Sequence, residues 1–239
     1  MMKAAKLLAT LALCAAPTLT KAQVGQPRND FAVGVNGGYL INRVSFNPTI
    51  KQNWKGGETF GISLRYTCEK YFSAICAVAA EVNYANLGWK ELIETSDETY
   101  SRDVRYIQVP LLARMGWGRE RRGAQFFIQV GPQLSFCISE KAHLGGDWTA
   151  DSPGRRPNGI IEQYTLNVEN KFEYGITGGA GVELSTRAGH LLLDGRYFYG
   201  LSDMFHNGKK DPFGRSANGA IIVKLSYLFD IVRTKGGDD

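Results

Sequence analysis

Residues 125–139 read Gln-Phe-Phe-Ile-Gln-Val-Gly-Pro-Gln-Leu-Ser-Phe-Cys-Ile-Ser. In an extended chain successive side chains point to opposite faces. Phe126, Ile128, Val130, Leu134, Phe136 and Ile138 therefore share one face, and Gln125, Gln129, Gln133, Ser135 and Ser139 share the other. The stretch is a strand with one apolar and one polar side. Farther along the chain, Phe172, Tyr174, Ile176, Ala180, Val182 and Leu184 oppose Glu173, Thr177, Glu183 and Ser185. Near the end, Ile221, Val223, Leu225, Tyr227 and Phe229 oppose Lys224 and Ser226. The pattern predicts eight β segments, near 31–42, 57–68, 76–90, 101–116, 124–140, 171–186, 190–203 and 217–231.

The links between them alternate in length. Those at 69–75, 117–123 and 186–189 are short, while those at 43–56, 91–100, 141–170 and 204–216 are longer and rich in Gly, Pro, Asn, Asp and Ser. A soluble barrel has no reason to sort its loops by length onto one end. An outer-membrane barrel does, with tight periplasmic turns and longer outer loops. The fold class expected is all-β: an eight-stranded antiparallel up-and-down transmembrane β-barrel.

The remainder divides simply. Residues 1–22 read as a cleaved signal peptide, with Lys3 and Lys6 before an apolar run from Leu7 to Ala16 and small residues Thr20 and Ala22 before Gln23. Cys14 follows Leu13, too bulky for a usual lipobox. Residues 23–30 form a short N-terminal segment, 31–232 the barrel and 233–239 a polar tail. Loss of residues 1–22 removes three lysines and no acids, lowering the formal charge from +5 to +2. No long basic block remains, so no nucleic acid is expected as partner.

A lipid-facing sheet must close, because its backbone has no water to bond. Eight strands make a narrow barrel filled by side chains. The inward set then includes Arg65, Glu81, Asn83, Gln108, Arg114, Gln129, Glu173, Glu183, Asp194, Arg196 and Lys224. Its charges cancel, and buried charges must be paired, which predicts a neutral ion-pair plug of Arg65, Glu81, Arg114, Glu173, Glu183, Asp194, Arg196 and Lys224. Aromatics are expected at both interfaces: Tyr66, Trp117, Tyr227 and Phe229 at the periplasmic rim, and Tyr39, Tyr84, Trp89, Phe172 and Tyr199 at the outer rim.

The remaining polar residues offer few groupings for chemistry. His143, His190 and His206 are scattered, and no ligand spacing for a metal is present. His206 with Ser202 or Asp203 imitates the Ser/His pair of lipid-modifying barrels, although a solvated loop histidine is the simpler reading. The glycines from Gly175 to Gly181 continue into a β pattern, so crowding explains them better than a phosphate loop. Cys68 and Cys76 flank a short turn, and either a disulfide or two unpaired small residues fits there. The long loop holds Trp148, Asp151, Arg155 and Arg156, a candidate binding surface or a freely varying loop. No catalytic residue, metal or cofactor is expected.

Several motifs resemble a known family. Tyr106-Ile107-Gln108-Val109-Pro110-Leu111-Leu112-Ala113-Arg114, Gly131-Pro132-Gln133-Leu134, Tyr174-Gly175-Ile176 through Gly179-Ala180-Gly181-Val182-Glu183, Arg196-Tyr197-Phe198-Tyr199-Gly200-Leu201 and Lys224-Leu225-Ser226-Tyr227-Leu228-Phe229 resemble, in this order, the Bacteroidetes outer-membrane β-barrel family that includes PorT-like proteins. The resemblance covers segments four to eight. It implies the outer membrane of a Gram-negative bacterium, contact with outer-membrane lipid, and assembly by the barrel-assembly machinery. That machinery would have to read Phe229 as an internal signal, since Asp230 to Asp239 follow it. The expected function is non-enzymatic, a structural or binding role through the outer loops with an envelope or surface protein partner. The alternatives are a PorT-like accessory of type IX protein secretion and a lipid-modifying barrel enzyme. A soluble lipocalin-like binder would instead have an apolar interior.

Overall fold

The computed structural model describes residues 26–94, 96–119, 122–154, 156 and 159–234. The alternating pattern is realised as eight strands: β1 (Gln26–Asn47), β2 (Lys55–Tyr71), β3 (Ala74–Glu91), β4 (Thr99–Gly118), β5 (Gly123–Gly145), β6 (Phe172–Ser185), β7 (His190–Gly200) and β8 (Arg215–Val232). Each pairs antiparallel with its neighbours in sequence, and β1 pairs with β8, as with Val33 opposite Phe229 and Tyr39 opposite Val223. The ring is closed and has no free edge, as hydrocarbon surroundings require. A two-residue strand, Gln52–Asn53, extends the sheet in the first loop by pairing with the end of β3.

Six strands run longer than the sequence pattern marked, while β6 and β7 are slightly shorter than the expected 171–186 and 190–203. β1 begins at Gln26, so residues 26–30 of the expected separate segment belong to the barrel wall. Of the expected polar tail, Thr234 is tied to the start of β1 through Asn29 and Asp30. The expected signal peptide, 1–22, and residues 235–239 of the tail lie outside the described residues.

Short turns gather at one end of the cylinder and long loops at the other. At the turn end, Phe72 and Ser73 join β2 to β3, with Phe72 at φ +52. Gly189, at φ +146, closes the β6–β7 turn, a conformation that favours glycine. Cys68 sits in a bulge, because β2 pairs Thr67 with Ala77 and Glu69 with Cys76 and so skips it. Both thiols are free, with Cys68 Sγ 3.3 Å from the carbonyl oxygen of Cys76. Of the two alternatives the structure holds the unpaired one, since the bulge offsets the two side chains.

The outward face is an apolar band. Val35, Ile62, Val82, Val130, Val182 and Val223 are each more than half exposed. On a soluble protein such a band would be an aggregation surface; on this cylinder it runs round the whole girth. Aromatics flank it. Phe60 stacks on Tyr84 and Phe136 packs on Phe172 toward the loop end, while Trp117 stacks on Phe126 and Tyr227 meets Phe229 edge-on toward the turn end. Trp89 departs from its expected rim position. It shares inward parity with Glu81, Asn83 and Leu87 and is fully buried.

Candidate functional site

Side chains pointing inward divide the barrel interior into two storeys. The lower, toward the turn end, is ionic. In its middle Glu81 accepts two bonds from the Arg196 guanidinium, at 2.8 and 3.0 Å, and one from Lys224 Nζ at 2.7 Å. Arg196 also donates to Asp194, which takes a further bond from Gln129 at 3.2 Å. Nearer the turns, Glu183 accepts from Arg65 at 2.8 Å and from Arg114, whose guanidinium lies 3.6 Å from the centre of the Phe127 ring. Every one of these charged groups is buried. The packed interior makes room through glycine at both levels: a Cβ at Gly181 would come within 2.6 Å of Asp194 and Phe127 in the ionic storey, and one at Gly175 within 2.6 Å of the Phe198 ring above it. The Gly175–Gly181 run is thus a matter of space.

Glu173 does not join this network, although the sequence grouped it there. It stands one storey higher, where Asn218 Nδ2 donates to Glu173 Oε1 at 2.9 Å and the other carboxylate oxygen has no partner. Its strand starts at Phe172, which lifts Glu173 above Arg196 and among Tyr106 and Phe198. In its place the ionic storey gains His190, whose Nδ1 lies 2.6 Å from Glu183 and whose Nε2 lies 3.0 Å from Asp230. Ser185 Oγ is 3.0 Å from the same Nδ1, so Ser185, His190 and Asp230 form a chain superficially like a hydrolytic triad. Glu183 competes for that nitrogen at shorter range, and the histidine acts as a clamp between two carboxylates. His190 shares inward parity with Asp194 and Arg196, the one signal that could have placed it.

The upper storey is aromatic and the loops build it. Phe46 at the end of β1 meets Trp89 edge-on at 5.3 Å and Phe213 at 5.2 Å, and Phe205 stacks on Phe213 at 5.5 Å. Met204, Phe205 and Phe213 come from the loop between β7 and β8, which folds into the mouth with backbone bonds from Met204 to Ser216 and from Gly214 to Asn47. The loop between β5 and β6 covers the other half. Tyr164 packs on Tyr100 at 4.8 Å and on Trp148 at 5.0 Å, and Arg102 donates to the carbonyl oxygen of Leu166 at 2.6 Å.

This arrangement revises the candidate loop surface. Arg156 is buried: it pairs with Glu98, donates to Tyr164 at 2.7 Å and stacks near Trp148 at 4.9 Å. Trp148 is half-buried beneath the loop, Asp151 is exposed, and Arg155 lies outside the described residues. Arg156 and Trp148 build the cap instead of presenting a face. Above the apolar band, burial pushes the Glu91 carboxyl above its usual range, and burial with the adjacent Glu91 holds the Tyr164 hydroxyl well above its own.

The other polar candidates serve loop structure. Ser202 Oγ accepts from the Tyr174 N–H, and Asp203 accepts from Ser216 and Asn207. The backbone N–H of His206 donates to Glu169. Among the described residues no three His, Cys, Asp or Glu side chains gather as a metal site, and no helix is long and apolar enough to cross a membrane. Among the described residues, the cavities lined by Glu183 with Arg65 and by Glu81 with Arg196 are only about 40 and 20 Å³, which leaves room for a few waters.

No curated protein matches the chain. Similar solved structures include the N-terminal β-barrel domain of Pseudomonas aeruginosa OprF, 12% identical with a TM-score of 0.36 over 85% of this chain and 100% of that one. They also include Ail, the attachment invasion locus protein of Yersinia pestis, 12% identical with a TM-score of 0.37 over 84% and 99%. The outer membrane protein OprG of Pseudomonas aeruginosa is 14% identical, with a TM-score of 0.41 over 86% and 98%. A family model described as "Outer membrane protein beta-barrel domain" matches residues 21–206, well over half of the sequence. The chain belongs to this outer-membrane β-barrel family.

Proposed function

We propose that this outer-membrane barrel is a non-catalytic binding element that works through its folded outer cap. The observation that carries the reading is the ordered cap itself. Loops meant only to vary need no fixed core, yet Trp148, Tyr164, Phe205 and Phe213 are drawn into one continuous aromatic cluster with the strands. The ionic storey below closes the route to the periplasm, so transport of solutes is not what the interior is shaped for. Outer-membrane lipid surrounds the apolar band, the barrel-assembly machinery delivers the chain after removal of residues 1–22, and a surface molecule or envelope protein meets the cap. The narrower likeness to PorT-like Bacteroidetes barrels rests on the motifs from Tyr106 onward.

The test compares cells displaying the full chain with cells whose residues 146–171 are replaced by a short Gly–Ser linker. Attachment to protein-coated surfaces should fall at least tenfold with the linker, while the barrel keeps its heat-dependent shift on SDS gels. Equal attachment by both would overturn the reading.

A further inference from the structure

Where the end of β1 meets β8 and β7, the wall holds a cleft of about 300 Å³. Its lining includes Arg43, Ser45, Gln52, Tyr197, Tyr199 and Arg215, and none of the lining residues is acidic. The strand register accounts for the space. Arg43 pairs with Gly219 and Gly219 with Tyr199, so two large side chains flank a residue that has none. Two strand spacings, about 10 Å, separate them. A Cβ at Gly219 would come within 3.2 Å of the Tyr197 hydroxyl. The exposed strand residues of the lining, Arg43, Ser45, Tyr197 and Tyr199, share outward parity with Tyr39 and Val223. Val44, Phe46 and Asn218, with inward parity, are buried. The cleft therefore opens on the outside of the wall, toward the loop end.

The cleft holds two cations and nothing in its lining that neutralises them. Arg215 Nη2 donates to the Tyr199 hydroxyl at 2.8 Å, and its guanidinium stands 5.6 Å from the centre of that ring. Arg215 itself pairs with Asn47, so the bond to Tyr199 draws its head toward the row of Arg43. The Arg43 guanidinium stands 5.6 Å from the centre of the Trp54 ring. Among the described residues neither arginine pairs with a carboxylate. The lining amides are committed elsewhere: Gln52 exchanges bonds with the Val44 backbone at 3.0 and 2.8 Å, and Asn218 donates to Glu173 at 2.9 Å. Two guanidiniums without acids at a lipid boundary call for an anion. A phosphate suits walls on two sides, because its oxygens point in several directions; a planar carboxylate matches a single guanidinium fork. The apolar band begins directly beneath, with Tyr39, Ile221 and Val223 exposed, so acyl chains attached to that phosphate have a surface to follow. We propose that this cleft binds the phosphate of an outer-leaflet lipid between Arg43 on β1 and Arg215 on β8. The site lies on the wall and not in the cap, so it goes beyond the reading of the cap as a binding element and does not depend on it.

The probe is an acylated diglucosamine carrying phosphates, and its control is the same lipid without them. The refolded full chain is mixed with each in detergent micelles, and native mass spectrometry reads the lipid that stays bound. A single phosphorylated lipid per chain is expected, with retention of the dephosphorylated form at least tenfold lower. Arg43→Gln with Arg215→Gln removes both cations, and Ser45→Trp narrows the cleft while keeping them. Each should cut retention at least tenfold in a barrel that still shows its gel shift. Lys141→Gln with Lys171→Gln removes the same charge from exposed residues toward the loop end that do not line the cleft. Retention should be unchanged there; an equal loss would mean diffuse surface charge and would overturn the site. Equal retention of the dephosphorylated lipid, or unchanged retention in either cleft variant, would overturn it as well. The lipid should stay bound in excess inorganic phosphate, and its displacement would overturn the lipid as occupant.

Discussion

At the scale of single residues, position along the barrel axis decides what a buried charge is worth. Arg196 holds Glu81 and Asp194 together, so Arg196→Leu leaves two carboxylates facing Lys224 alone. Breaking a buried pair from one side costs about 3–5 kcal/mol, and urea-induced unfolding in lipid vesicles, read by gel shift, should show a loss of that order. Unchanged stability would mean that the network is not closed as drawn. Glu173 should behave in the opposite way. It has one amide donor and no cation, so Glu173→Gln removes a desolvated charge and should leave stability equal or higher in the same assay. Parity alone put both residues indoors correctly. Parity says nothing of height along the axis, which depends on where each strand starts. Trp89 was legible by the same parity and was misplaced because its aromatic character suggested a rim.

At the scale of elements, the strands announced themselves and the cap did not. Period-two alternation is local, and each strand of the barrel repeats it. The cap depends on pairs far apart in the chain: Arg156 with Glu98, 58 residues apart, and Arg102 with the Leu166 carbonyl, 64 apart. No short window contains either, so a loop rich in Gly, Pro and Asp reads as irregular. Its stability should nonetheless be measurable. Phe205 is fully buried among Phe46, Trp89 and Phe213, and Phe→Ala at such a site costs about 3–5 kcal/mol. Phe205→Ala should therefore speed amide exchange at Met204, whose N–H bonds Ser216 at 3.0 Å, by about a hundredfold to a few thousandfold. Amides in β6 and β7 should change little; a uniform acceleration would show that cap and wall unfold as one.

At the scale of the whole molecule, the closed ring and its filled interior predict electrical silence. Reconstituted in a planar bilayer, the folded chain should show no sustained unitary conductance at moderate voltage, since the cavities lined by Arg65, Arg114 and Glu183 and by Glu81 and Arg196 are only about 40 and 20 Å³. Regular open-channel steps would contradict the packing of Glu81, Arg196 and Lys224. The same measurement on the chain with residues 146–171 replaced should be equally quiet. The two storeys make the outer half a cup with its own floor, so the permeability barrier is secured below the loops and does not depend on them. Loops on such a cup are free to be exchanged, lengthened or replaced by foreign segments without the membrane springing a leak.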